Sequence, residues 1–440
     1  MSEVTSRLEA PKPHIAFAEA TRFWVMLGFV NFGGPAAQIA LMHRELVDRR
    51  KWVGELTFGR ALGFCMALPG PEAQQLAIYL GWALHGVPGG IVAGTAFIGP
   101  SVVAMMVLSW IAVAHGTIPV VAGTLSGLQA VVVGIVADAV IRVGSRTLSS
   151  PFRVAVAAAS LVAIAIVGLP FPVVIGAAAL IGLTSSRIAT NRSLMASGSG
   201  ASTDDVSSER SAAVHNSQRR VWGIIGGTLA LWIVPVGGIA VWRGPDDILT
   251  TIALFFTRVS FFTFGGAYAV LSHVAEVAVN DYQWIDAPRM VQGLGLAETT
   301  PGPLIMVTQF VGFVAAYGRA PGLTPLTAGV LGGLLTTWCT FLPCFLFVLL
   351  GAPFVERLAD NPNISAAFGG ITCAVVGAIA NLSIYTTWHT IWPTGTEPNW
   401  FAVTVAVVAF VSMRRSSMPV YVMTLFGALA GALLSVIHDV

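Results

Sequence analysis

The chain matches itself. Phe32-Gly33-Gly34 returns 232 positions later as Phe264-Gly265-Gly266, and Trp52 with Trp284 and Pro69-Gly70-Pro71 with Pro301-Gly302-Pro303 keep that offset. After an eleven-residue insertion around Pro321 to Pro325 the match resumes at 243, where Pro100 meets Pro343, Gly127 meets Gly370, Gly134 meets Gly377 and Asp138 meets Asn381. A self-match held over four helices per half makes a duplicated architecture the first constraint on the fold.

The second constraint is solvent. Of the 440 residues 55% are apolar and 10% charged, and the mean hydropathy is +0.79. A soluble domain carries about 25% charge, so this chain reads as an all-α polytopic membrane protein. Windows of ~20 apolar residues fall near 15–40, 58–84, 88–114, 118–141, 152–169, 170–187, 220–242, 248–275, 288–316, 323–351, 365–386, 398–413 and 417–436, thirteen in all. The polar start, residues 1–13, and the length of the first apolar run argue against a cleaved signal. Residues 188–219, rich in Ser and Ala, read as a flexible polar linker. The domains are then a first repeat (1–187), the linker, a linking helix (220–247) and a second repeat (248–440). Seven crossings separate the first and eighth windows. An odd number reverses direction, so the repeats are inverted. Inverted-topology repeats are the pattern of secondary transporters, with the site near the midplane where helices are broken.

Lys and Arg near the window ends set orientation. With thirteen crossings, fourteen fall on the N-terminal side and seven on the other, placing the N-terminus in the cytoplasm and the C-terminus outside. Five of the seven are Arg44, Arg49, Arg50, Lys51 and Arg60. That cluster signals either a count off by one or charges with a second task.

Each half carries two breaks. Proline removes a backbone donor and glycine admits positive φ, so Pro-Gly-Pro ends one half-helix and starts another. The freed backbone groups need protein or a water-filled cavity. The new N-terminus is a natural anion site. A purely structural kink is the alternative for each triplet.

At these residues the sequence resembles the chromate ion transporter family in its long, two-domain form. The resemblance rests on Phe32-Gly33-Gly34-Pro35, His43-Arg44-Glu45, Trp52 and Leu68-Pro69-Gly70-Pro71 running into Gln75-Leu76-Ala77-Ile78-Tyr79-Leu80-Gly81, echoed by Phe264-Gly265-Gly266, Trp284 and Thr300-Pro301-Gly302-Pro303. It covers roughly 15–143 and 248–386. It implies a multi-pass protein of a bacterial-type inner membrane that exports chromate, and thirteen spans with oppositely oriented halves.

The expected oxyanion contacts are Asn31, Gly33, Gly34, Arg44, Arg60, Pro69, Gly70, Pro71, Gln75, Arg258, Gly265, Gly266, Thr300, Pro301, Gly302 and Pro303. Guanidinium can hold two oxygens of a tetrahedral dianion at once. The cluster at 44–60 can equally be an interfacial segment anchored by Trp52. Arg258 and Glu298 lie inside apolar windows, where an ionisable residue is a functional candidate; they either pair with each other or serve the anion and a coupled proton. Glu72, directly after the first Pro-Gly-Pro, is a proton carrier or a helix cap. Because Leu304-Ile305-Met306 follows the second triplet, the second break is expected to cradle the oxyanion and the first to couple protons. Gln74, Thr308 and Gln309 also flank the breaks, as ligands or as bonds between helices.

The partners are chromate or its mimic sulfate, a coupling proton and the bilayer. The net charge of +2 is too small and dispersed for nucleic acid. No cofactor or metal site is expected: Cys65, Cys339, Cys344 and Cys373 all sit in apolar stretches, and no HExxH, GxSxG or Walker A sequence occurs. An enzyme is disfavoured. Transport of another tetrahedral oxyanion and a passive anion channel remain as alternatives, and the sequence leaves the oligomeric state open, a homodimer included.

Overall fold

A computed structural model describes residues 15–196, 215–264, 266–354, 362–393, 395, 397–416 and 418–438. All regular structure among them is helical. The helices are α1 Phe17–Val30, α2 Gly34–His43, α3 Glu55–Met66, α4 Glu72–Ala114, α5 Pro119–Thr147, α6 Pro151–Ala165, α7 Phe171–Ala196 and α8 His215–Arg243, then α9 Ile248–Phe261, α10 Ala267–Glu276, α11 Ala287–Thr299, α12 Val307–Ala316, α13 Pro325–Gly351, α14 Pro362–Ile391, α15 Trp400–Ser416 and α16 Val420–His438. Proline opens several of them, where its missing N–H costs nothing. Asp247, Asp286 and Thr324 cap α9, α11 and α13 through backbone N–H groups. Six described helices are long and apolar enough to cross a membrane, and α6, α9 and the first 15 residues of α7 are shorter apolar helices. The chain is a multi-pass membrane protein. Of the expected linker, residues 188–196 and 215–219 continue α7 and α8, and 197–214 lie outside the described residues.

Four of the thirteen apolar windows do not run straight through their breaks. Arg50 and Trp52, beyond the end of α2, lie on Phe23 of α1, at 4.9 Å and 5.4 Å. A continuous rod would hold them tens of ångströms apart at 1.5 Å per residue, so α1 and α2 form a hairpin. Phe64 of α3 meets Tyr79 of α4 at 6.0 Å. In the second half Phe255 of α9 meets Trp284 at 5.4 Å, and a Cβ on Gly293 of α11 would fall 2.5 Å from Phe310 of α12. Windows 15–40, 58–84, 248–275 and 288–316 are thus all folded back at their breaks. Hydropathy alone cannot separate a re-entrant hairpin from an interrupted crossing, since both are apolar for the same length. Helix α4 also reverses, at His85 and Gly86 (φ 64°, ψ −153°), so residues 72–84 return against 87–114, with Gly81 and Gly89 in backbone contact.

Helices α4 and α13 run antiparallel. A Cβ on Gly90 would lie 3.1 Å from Leu349, on Gly94 2.6 Å from Phe345, and on Gly333 3.2 Å from Met106. Rising numbers in α4 meet falling numbers in α13. The remaining helices exchange partners: α5 packs on α15 and α16, and α14 on α6 and α7. Gly127 touches Gly427, and its counterpart Gly370 touches Gly182. Small residues let helix backbones approach closely where lipid offers no hydrophobic drive.

Candidate functional site

The hairpin tips sit where the two halves meet. Each tip turns on glycine: Gly33 (φ 96°) and Gly34 (φ 76°), Gly70 (φ 131°), Gly266 (φ 101°) and Gly302 (φ 124°). Gly265 lies outside the described residues. The Gly70 N–H donates to the Thr263 carbonyl at 2.6 Å, and the Gly302 N–H to the Asn31 carbonyl at 2.7 Å. Asn31 and Thr263 differ by 232, as do Gly70 and Gly302, so one bond is made twice, each time from the Pro-Gly-Pro of one half to the Phe-Gly-Gly tip of the other. A side chain is excluded at both donors. A Cβ at Gly70 would lie 2.5 Å from Gln75 Nε2 and 2.7 Å from Cys344 Sγ; at Gly302 it would lie 2.6 Å from Ser101 Cβ. Ser101 and Cys344 are themselves counterparts at offset 243.

Around the tips lies an unusual set of neutral polar groups. Asn31, Gln38, Gln74, Gln75 and Ser101 are each 0% exposed. Gln38 donates to the Gly302 carbonyl and Gln75 to the Pro69 carbonyl, both at 2.6 Å. Both polar atoms of the Asn31 and Gln74 side chains, the amide oxygens of Gln38 and Gln75, and the Ser101 hydroxyl have no partner. Each such buried group costs about 1–3 kcal/mol if left unmade, which makes the tips the candidate site for a polar ligand. Helices α2, α4 and α10 start at these tips, and α12 starts one short turn beyond its own, at Val307. Their free N–H groups and positive dipole ends converge there.

Two carboxyls approach this centre. Glu72 opens α4, and its Oε1 lies 4.0 Å from where a Gly266 Cβ would stand; no cation pairs with it among the described residues. Glu298, 5% exposed, accepts a hydrogen bond from the Tyr268 hydroxyl at 2.6 Å. Its partner is therefore Tyr268 and not Arg258, which lies on the exposed face of α9.

Other expected residues are placed elsewhere. Arg44 is exposed at the hairpin base, where Glu45 pairs with Arg49 at 2.6 Å and Arg50 at 3.7 Å. Arg60 is exposed on α3. The hydroxyls of Thr300 and Thr308 bond within their own helical turns, and Gln309 bridges Val102 and Thr337. Asn31, Gly33, Gly34, Pro69, Gly70, Pro71, Gln75, Gly266, Thr300, Pro301, Gly302 and Pro303 are gathered at the tips; the arginines are not. Gln38 and Ser101 carry no signal in the sequence: a single Gln or Ser in an apolar helix is ordinary, and the counterpart of Gln38 is Val270.

Residues 18–183 and 250–432 match the chromate transporter family, one stretch per half and together well over half the chain. The chain belongs to that family. It is 29% identical over 368 residues to the probable chromate transport protein of Synechococcus elongatus, covering 84% of each chain. To the chromate transport protein of Pseudomonas aeruginosa it is 28% identical over 426 residues, 96% of this chain and 94% of that one. To the one of Cupriavidus metallidurans it is 26% identical over 400 residues, covering 84% and 83%. No solved structure matches. Family members of this kind are transporters, so this chromate transporter family member is a transporter and not an enzyme.

Proposed function

We propose that the protein exports chromate from the cytoplasm, with the oxyanion held where the hairpin tips meet. The observation that carries this reading is the set of fully buried polar side chains with unpartnered atoms beside two reciprocal backbone bonds. The unpartnered amide N–H groups of Asn31 and Gln74 and the Ser101 hydroxyl supply directed hydrogen bonds to a tetrahedral anion. Gln38 and Gln75 hold the tips through the Gly302 and Pro69 carbonyls, and the converging helix starts supply positive potential. The backbone at Gly33, Gly34, Gly70, Gly266 and Gly302, turned by Pro69, Pro71, Pro301 and Pro303, lets the ligand approach closely. Arg44 and its neighbours serve as an attracting mouth at the hairpin base. Neutral donors read charge and tetrahedral shape, which sulfate shares, so sulfate is the natural competitor or exchange partner.

Coupling is assigned to Glu72. Its carboxyl faces the opposite half's tip with no paired cation among the described residues, so taking up or losing a proton there changes the charge felt by an anion nearby. The second Pro-Gly-Pro, followed only by apolar side chains, is the main cradle.

In this reading the two repeats each contribute two re-entrant hairpins and four crossings, and α8 adds a ninth crossing. The antiparallel course of α4 and α13 supports the inversion. Folding the hairpins back also moves Arg44, Arg49, Arg50, Lys51 and Arg60 to the N-terminal side and Arg289 to the other. Eighteen Lys and Arg then lie on the N-terminal side against Arg243, Arg289 and Arg319 on the other. That bias supports a cytoplasmic N-terminus and an external C-terminus in an inner membrane, and it accounts for the basic cluster that thirteen crossings left on the wrong side.

The test is uptake of labelled chromate into everted vesicles, with and without a proton gradient and with excess sulfate. Gradient-stimulated uptake that sulfate inhibits is expected. Uptake indifferent to the gradient removes proton coupling, and sulfate uptake without chromate uptake replaces the substrate.

A further inference from the structure

Away from the tips, at the base of the hairpin formed by α9 and α10, lies a cavity of about 160 Å³ between α10, α6 and α14. Its polar lining is Ser272, Glu276, Asn280, Asn381 and Tyr385. Asn381 donates its amide N–H to the Ser272 hydroxyl at 2.8 Å, which leaves its amide oxygen for the cavity. The buried Tyr385 hydroxyl has no partner. The formal charge in the lining is one carboxylate, and Asp281 and Asp286 stand within electrostatic reach. The nearby Arg289 is committed to Asp286 at 3.6 Å. Oxygen donors around a negative charge form a site for a hard cation.

The duplicated architecture says what belongs there. At the repeat offsets Asn381 corresponds to Asp138, Tyr385 to Arg142 and Glu276 to Arg44. In the first half Arg142 reaches Asp138 at 3.4 Å and Arg414 reaches it at 3.6 Å. The first-half Asp138 is thus met by guanidinium groups, Arg142 from its own helix and Arg414 from α15. The second half has Asn381 in place of the aspartate, Tyr385 in place of the arginine, a carboxylate, Glu276, where the first half has Arg44, and a cavity between them.

We propose that this cavity binds a monovalent cation, an alkali ion or a small ammonium, held by Glu276 with the oxygens of Ser272, Asn280, Asn381 and Tyr385, in the role that Arg142 plays in the first half. The site braces the base of a hairpin whose tip touches the transport centre. It stands independently of the substrate assigned above, because its readout needs no anion.

The experiment is thermal unfolding of the purified full-length protein without chromate, titrated with sodium, potassium or methylammonium chloride against N-methyl-D-glucamine chloride at constant ionic strength. A saturable rise of about 2–4 °C is expected with at least one of the three, as binding to the folded state alone requires. Glu276→Gln should abolish it. Asn381→Asp, adding a carboxylate, should shift the response to lower cation concentration by about tenfold, equivalent to about 1.4 kcal/mol. The double variant Asn381→Asp with Tyr385→Arg, which rebuilds the first-half ion pair, should unfold at a higher temperature in N-methyl-D-glucamine and respond to no cation. A response to methylammonium alone would keep the cation site and exclude an alkali ion. The proposal is overturned if neither the native protein nor Asn381→Asp responds to any of the three, or if Glu276→Gln responds as the native protein does.

Discussion

Asn31 contributes twice to the proposed transport centre: its carbonyl ties the opposite Pro-Gly-Pro tip, and its side-chain amide is buried without a partner. Truncation separates these roles, because the backbone bond survives any side-chain change. Asn31→Ala and Gln74→Ala should each lower chromate affinity about tenfold to a hundredfold, the cost of about 1–3 kcal/mol for lost hydrogen bonds to a charged group, with little change in folding; equilibrium binding of labelled chromate checks this. Glu72→Gln should keep chromate binding and lose the response to a proton gradient. Loss of binding by a folded Glu72→Gln protein would end the division of labour between the two breaks. At Gly70 an alanine meets Gln75 and Cys344 and must adopt φ 131°, so Gly70→Ala should destabilise by about 1–3 kcal/mol and lower the unfolding temperature. At this scale the glycine and proline breaks were legible in the sequence because the repeat singled them out, and Glu72 because it follows one break where the other is followed by Leu304. Gln38 was not, since nothing in an apolar helix distinguishes one buried amide from another. Arg258 was misleading in the other direction: its place inside an apolar window says nothing about which face of α9 it takes.

Between helices, the close contacts are made by glycine, and they recur at the repeat offset. Gly127 meets the Gly427 carbonyl, and Gly370 meets the Ala178 carbonyl. A side chain there separates two helices along their length, so Gly127→Val should lower the unfolding temperature in detergent by several degrees, at about 1–3 kcal/mol for overpacking. Gly238→Ala, in α8 with no atom near its Cβ position, should leave it unchanged. The apolar helices themselves were readable from hydropathy, six of those described being long enough to cross a membrane. Their folding-back was not. Whether Asn31-Phe32-Gly33-Gly34 interrupts a rod or closes a hairpin depends on tertiary partners such as Phe23 with Trp52 and Phe255 with Trp284, which lie far apart along the chain.

Over the whole molecule, the proposed arrangement is two sets of hairpins entering from opposite faces, joined tip to tip by the Gly70–Thr263 and Gly302–Asn31 bonds. The repeat predicts an inverted pair from parity alone, and that parity survives a change from straight crossings to hairpins because two hairpins remove two crossings; between the first and second repeats seven become five. What changes is which side the loops face. The most direct test places single cysteines at Asp48 and Asp281 and labels each with a membrane-impermeant maleimide in sealed right-side-out and everted vesicles. The four native cysteines are buried and give a low background. The account predicts Asp48→Cys labelled from the cytoplasmic face, the side of the N-terminus, and Asp281→Cys from the external face. Labelling of Asp48→Cys from outside and Asp281→Cys from the cytoplasm would mean that the broken segments cross the membrane after all, and would contradict it.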